Sequence, residues 1–232
     1  MNKKMSPLIG VTTSVNSRDY EISNQSVVML PENYPKAIRK AGGIPLLISE
    51  CDDVDELLDC LDGLVISGGR DINPNLYSQI PHEKTTDFSD IQDSWEISLI
   101  EGAIDREIPL LCICRGHQLL CVIRGGQLFQ DLPTTEGYEK HGATGGNWSE
   151  HIVKLEKDSL IFELLGSEIM GNSGHHQGVS DAGDLRVVGK TSDGLIEAVE
   201  LDDYPFLIST QWHPEMLGQD SVFEGLIQAS SR

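Results

Sequence analysis

Positive charge is scarce in this chain. Of its 232 residues only 17 are Lys or Arg against 37 Asp or Glu, which gives a formal net charge of −20 at pH 7. A phosphate backbone or an anionic bilayer is bound through clustered cations, so nucleic acid and membrane are excluded as expected partners. No apolar run reaches membrane-spanning length, and the opening Met1-Asn-Lys-Lys-Met-Ser-Pro7 leads straight into a strand-like segment without the apolar region of a secretory signal. The expected location is therefore cytoplasmic. Cysteine is sparse and odd in number, five residues at positions 51, 60, 112, 114 and 121, in a chain large enough to build its own core. These read as reduced thiols and not as a disulfide framework. Internal repeats, low-complexity tracts and linkers are also missing, so the length reads as one domain over residues 1–232.

What the chain does have is alternation. Strand-like runs at 8–13, 44–49, 63–67, 109–113 and 127–130 are separated by helical patterns at 31–41, 54–60, 92–105 and 115–123. That order predicts an α/β three-layer sandwich in which helices cover both faces of a mostly parallel sheet. Candidate strands at 151–155, 185–189, 196–200 and 205–210 follow one another as a meander, which makes the sheet mixed, and 219–230 closes the chain as a helix. Residues 14–27 and 133–150 are polar and read as long surface loops.

The chemistry is concentrated where the apolar run Pro109-Leu-Leu-Cys-Ile ends in Cys114-Arg-Gly-His-Gln118. A side chain at a sharp strand-to-helix turn is pushed out of the sheet, and the helix start offers N–H groups and a positive dipole end that favour a thiolate. Near the other end, Gln211-Trp-His-Pro-Glu215 supplies an imidazole at His213 and a carboxylate at Glu215, two positions apart. In extended backbone such residues face the same way, so the carboxylate can orient the ring. Gly68-Gly69 closes a buried strand, the place where open α/β sheets bind ligands, although a lone Gly-Gly is more often an ordinary turn. Only the conjunction of the three features is specific.

The set of motifs resembles the class I glutamine amidotransferase-like hydrolases, and within them the γ-glutamyl-γ-aminobutyrate hydrolase branch. The resemblance runs through most of the chain: Tyr34, Ala41 to Pro45, Asp62 to Tyr77, Asp93 with Glu96, Pro109 to Gln118, Gly125 to Leu132, Asn172 to Gln177, Ser192 to Ala198 and Gln211 to Glu215. It implies a flavodoxin-like fold and a cysteine hydrolase that cleaves a γ-glutamyl amide through a thioester, without metal or organic cofactor. By this resemblance Cys114 is the nucleophile, His213 its base and Glu215 the residue orienting that base. Gly69 and Arg115 would supply backbone donors to an oxyanion, and Gln118, Ser173 and His175 would bind the γ-glutamyl part. The expected partner is a small γ-glutamyl substrate, with a homodimer left open. The chain departs from the family pattern at Cys112, where Gly is usual two residues before the nucleophile, and at Arg70, Cys121 and Arg124.

Three other readings compete. Cys112, Cys114, His117 and Cys121 are soft ligands within ten residues, but they lack the paired knuckles of a metal site, and adjacent His175 and His176 face opposite ways in extended backbone. A glutaminase subunit passing ammonia to a synthetase would keep the same three residues. A binding protein without activity is the third reading, motivated by Cys112. Arg70 is a further candidate, for an acidic leaving group.

Overall fold

A computed structural model of the chain describes residues 5–20, 23–51, 53–144 and 147–231. Its strands are β1 (Leu8–Thr12), β2 (Ser14–Tyr20), β3 (Ser23–Met29), β4 (Ile44–Ile48), β5 (Gly63–Ile66), β6 (Leu110–Ile113), β7 (Gln127–Phe129), β8 (Ala143–Thr144), β9 (Asn147–Leu155), β10 (Glu168–Ser173), β11 (Gly178–Asp181), β12 (Arg186–Thr191), β13 (Ile196–Glu200) and β14 (Leu207–Thr210). Its α-helices are α1 (Asn33–Lys40), α2 (Val54–Asp59), α3 (Asp90–Asp105), α4 (Arg115–Ile123), α5 (Leu160–Leu165), α6 (Pro214–Leu217) and α7 (Asp220–Ala229).

The main sheet runs in the order β10-β9-β12-β13-β14-β6-β5-β1-β4. From β4 to β14 every neighbouring pair is parallel, and from β14 outward to β10 every pair is antiparallel. This is the mixed α/β sheet that the strand and helix pattern predicts. Its inner parallel strands β1, β5, β6 and β14 are apolar on both sides because both faces are covered, whereas the edge strand β4 is largely exposed. Side chains alternate along them as the pleat requires: Leu64, Ile66, Leu110 and Cys112 join the core beneath α2, α3 and α4, while Val65, Leu111 and Ile113 join the core beneath α1, α5 and α7.

Two expectations need correction. Residues 14–20 and 23–27 are not a loop: β2 and β3 pair antiparallel as a separate two-stranded sheet, with Val15 opposite Val28 and Asn16 opposite Val27, while positions 21 and 22 of that stretch lie outside the described residues. Polar residues at most positions hide the alternation that marks a buried strand. The second polar stretch is a loop only in part, since β8 lies within it and β9 already starts at Asn147.

Candidate active site

β6 ends at Ile113, and Cys114 turns the chain directly into α4 with φ 54° and ψ −104°. A non-glycine residue held there is strained by about 1–3 kcal/mol, a conformation that persists only when its surroundings fix it. Here they do. The Cys114 N–H donates to Thr210 O at 2.8 Å, and its own carbonyl accepts the first α4 bond, from Gln118 N–H at 3.1 Å. The N–H groups of residues 115–117 thus precede the helical ladder and sit at its positive end. Cys112, in the strand behind, is fully buried and packs with Cys121 in the apolar core, so a thiol is accommodated where the family has Gly. Burial holds both thiols in the neutral form by pushing their pKa values up.

β14 lies beside β6 in parallel register, with Thr210 opposite Ile113, and so delivers residues 211–215 to the same sheet edge as Cys114. Gln211-Trp212 complete the turn, and α6 then starts at Pro214. His213 and Glu215 therefore do not meet by strand alternation, as the spacing suggests, but across a helix start. Their contact is close, with His213 Nδ1 to Glu215 Oε1 at 2.6 Å. The backbone N–H of His213 donates to Asn172 Oδ1 at 2.9 Å, which pins the ring's base to β10. Burial works against a charged imidazole, but the charge and hydrogen bonding of Cys114, then of Glu215, outweigh it and raise His213 to about 10.

The strand end at Gly68-Gly69 closes on this pair. A Cβ on Gly68 would lie 2.8 Å from His213 Cε1 and 3.5 Å from Cys114 Cβ, so only glycine lets the backbone approach. The Gly68 N–H is already engaged, donating to the Tyr34 hydroxyl at 2.9 Å. Gly69 packs on the stem of Arg115, where a Cβ would stand 3.1 Å from Cδ. The Arg115 guanidinium is buried and bonded to both Asp93 and Glu96. Burial pushes both carboxyls up, and Arg115 only partly offsets it. Sequence reasoning flagged Asp93 and Glu96 only as motif members. Their i, i+3 spacing on α3 is the signal that they share a partner.

The residues expected to bind substrate are mostly committed inward. Gln118 donates through Nε2 to Gln177 O and Gln211 Oε1, each at 3.1 Å. Ser173 Oγ accepts from Gly142 N–H at 3.0 Å and lies 3.0 Å from His175 Nε2, whose Nδ1 lies 2.8 Å from Gln177 O. Arg70 donates to Val15 O at 2.7 Å and Asn16 Oδ1 at 3.0 Å, tying the β2–β3 sheet to this rim. His176 turns away from His175 and bridges Asp71 and Asp131 at 2.7 and 3.1 Å. His117 is buried against Ser209 Oγ at 2.8 Å, with burial lowering its pKa to about 3.

The model of one family, peptidase C26, matches residues 7–215. The chain belongs to that family. Among its relatives are the γ-glutamyl-γ-aminobutyrate hydrolase PuuD of Escherichia coli K12, 32% identical over 242 residues and covering 96% of this chain and 93% of that one. Protein NtpR of Enterococcus hirae is 34% identical over 233 residues, covering 96% and 97% of the two chains. Among solved structures, PurLQS from Thermotoga maritima superposes with a TM-score of 0.66 at 17% identity, over 97% of this chain and 99% of that one. A glutamine amidotransferase from the same organism gives 0.60 at 15% identity, over 91% and 77%. These likenesses place the fold among the class I glutamine amidotransferase structures.

Proposed function

We propose that this C26 family member is a cysteine hydrolase of γ-glutamyl amides, with γ-glutamyl-γ-aminobutyrate or a related γ-glutamyl-amine as substrate. The observation that carries the reading is the strained Cys114 at a helix start beside an imidazole whose far nitrogen is held at 2.6 Å by Glu215. The kinship with PuuD supports the substrate class.

In this reading the Cys114 sulfur attacks the γ-carbonyl carbon and forms a C–S bond while the carbonyl π electrons move to oxygen. The N–H groups of Gly69 and Arg115 donate to that oxyanion, each such donor being worth roughly 3 to 4 kcal/mol. The intermediate collapses with cleavage of the C–N bond, and His213 gives its proton to the departing amine. Water, deprotonated by His213, then adds to the thioester, the C–S bond breaks, and glutamate leaves. Glu215 holds the ring in the orientation that serves both steps. Gln118 and the segment around Ser173 and His175 act on the γ-glutamyl side as a buried wall.

The test is glutamate release from γ-glutamyl-γ-aminobutyrate, other γ-glutamyl-amines, γ-glutamyl peptides and glutamine, with Cys114→Ala as control. Release from a γ-glutamyl-amine that the variant abolishes supports the reading. Release from glutamine alone would replace it with an ammonia-delivering glutaminase.

A further inference from the structure

Four side chains brought together from distant parts of the chain form a group of which the proposed hydrolysis uses only His175, as part of the wall on the γ-glutamyl side. Among the described residues, His141, His175 and Glu197 are one trio of metal-ligating type that converges, with ligand atoms all within 4.8 Å of one another. His151 joins them, its Nε2 at 3.3 Å from Glu197 Oε1, and His175 Nε2 is 3.8 Å from the same oxygen. Donors around a tetrahedral zinc ion lie about 3.3 Å apart, given bond lengths of roughly 2.0–2.1 Å, so small side-chain shifts would close the set.

The hydrogen bonding around the group leaves donor atoms free to take a cation. Glu197 has no exposed surface; its Oε1 pairs with His151 Nε2 at 3.3 Å, while its Oε2 makes no hydrogen bond. His141 Nδ1 is likewise a buried atom without a hydrogen-bond partner among the described residues. A buried carboxylate needs a positive centre beside it: a protonated His151 at 3.3 Å supplies one in the ion-free chain, and a bound cation would take that place. The outer contacts fix the rings for that role. Asp193 Oδ2 lies 3.0 Å from His141 Nε2, so that nitrogen carries the proton and Nδ1 presents its lone pair inward. Gln177 O takes the Nδ1 proton of His175 at 2.8 Å, which frees the Nε2 lone pair for the group. Carboxylates and carbonyls on the far nitrogen are the usual support of a ligating histidine. Ser173 Oγ now faces His175 Nε2 at 3.0 Å and would have to turn its proton away.

We propose that His141, His151, His175 and Glu197 form a buried structural site for one divalent transition-metal ion, with zinc the best-fitting member. Three imidazoles and one carboxylate are a borderline ligand set of the kind zinc takes, and too poor in oxygen for calcium or magnesium. The ion would clamp β9, β13 and the turn after β10 to the loop at residue 141. Hydrolysis at Cys114 does not pass through it. Its role is to hold β10, whose Asn172 carries the His213 backbone.

The test uses the full chain, stripped by chelator and titrated with zinc and with cobalt(II). One ion should bind per chain, the unfolding temperature should rise on zinc addition, and cobalt should give tetrahedral absorption bands without a thiolate charge-transfer band. His141→Ala and Glu197→Gln should each weaken binding by more than the roughly 10–100-fold expected for the outer partner in Asp193→Asn. Ser173→Ala should not weaken it. The inference is overturned if the stripped wild-type chain takes up no ion. It is equally overturned by a thiolate band, which would move the ion to the cysteines, or by unchanged affinity in folded His141→Ala and Glu197→Gln. Failure here leaves the hydrolase reading intact, since glutamate release by the stripped chain is measured separately.

Discussion

The Tyr34 hydroxyl accepts a 2.9 Å hydrogen bond from the backbone N–H of Gly68. The same oxygen stands 3.4 Å from His213 Nδ1 and has Glu215 as a side-chain partner, so α1 ties the glycine turn to the His213–Glu215 pair. Burial first, and then the charge of Glu215, keep the phenol protonated by raising its pKa.

Tyr34→Phe should therefore act in two ways. The Gly68 N–H loses its Tyr34 acceptor at a partly buried position, a penalty of about 0.5–1.5 kcal/mol that denaturant unfolding will read. Glutamate release should fall on the order of 10-fold in kcat, because the strand end and the imidazole lose their common anchor. An unchanged kcat would show that the tie is structural only.

Gly68→Ala separates space from backbone strain. The new methyl would sit 2.8 Å from His213 Cε1, and one of the two must move. A displacement approaching 1 Å costs about 100-fold in rate, so activity should drop by at least that much while the unfolding midpoint changes little. Full activity in this variant would mean that His213 has room the structure does not show.

Arg115 is a buried cation facing two buried carboxyls, Asp93 and Glu96. Arg115→Ala should destabilise the chain by about 3–5 kcal/mol at neutral pH, since both carboxyls are left without their counter-charge. Burial already holds both pKa values above their ordinary range, so their folded forms favour protonation. The sign follows: the loss grows as pH rises through those values and shrinks as the carboxyls protonate on acidification. Urea titrations of wild type and variant at neutral and mildly acidic pH will show whether the gap narrows on the acid side.

The His213 ring is raised to about 10 by Cys114 and Glu215 against the opposing effect of burial. A raised pKa keeps the proton needed by the leaving amine at every pH below that value and removes it above. The alkaline limb of kcat/KM should therefore lie near 10, and Glu215→Gln, which removes a carboxylate charge, should move it toward neutrality and lower the rate by on the order of 10³-fold. A limb that does not move in the variant would remove Glu215 from this role.

Much of this arrangement was legible in the residues, and the exceptions have physical reasons. Buried parallel strands advertise themselves, as Leu-Leu-Cys-Ile before Cys114 does, because both faces are covered and the run is apolar throughout. β10 and β11 carry exposed polar or mixed residues and did not stand out, and neither did α5, a six-residue helix capped by Ser159, whose Oγ accepts from Phe162 N–H at 3.1 Å. The pairing of His213 with Glu215 was readable but its cause was not: Pro214 opens a helix there, which spacing alone does not distinguish from a strand. The group of His141, His151, His175 and Glu197 has no short spacing at all. It exists only because β9, β10 and β13 share one sheet.

A γ-glutamyl thioester on Cys114 is the intermediate of the proposed hydrolysis, and intact-mass analysis of acid-quenched enzyme during turnover of γ-glutamyl-γ-aminobutyrate detects it. A transient adduct of one γ-glutamyl group is expected, located on the peptide that contains Cys114 and absent from Cys114→Ala, which also releases no glutamate. Glutamate release by Cys114→Ala at the wild-type rate, or turnover by the wild type with no adduct on that peptide, would contradict it.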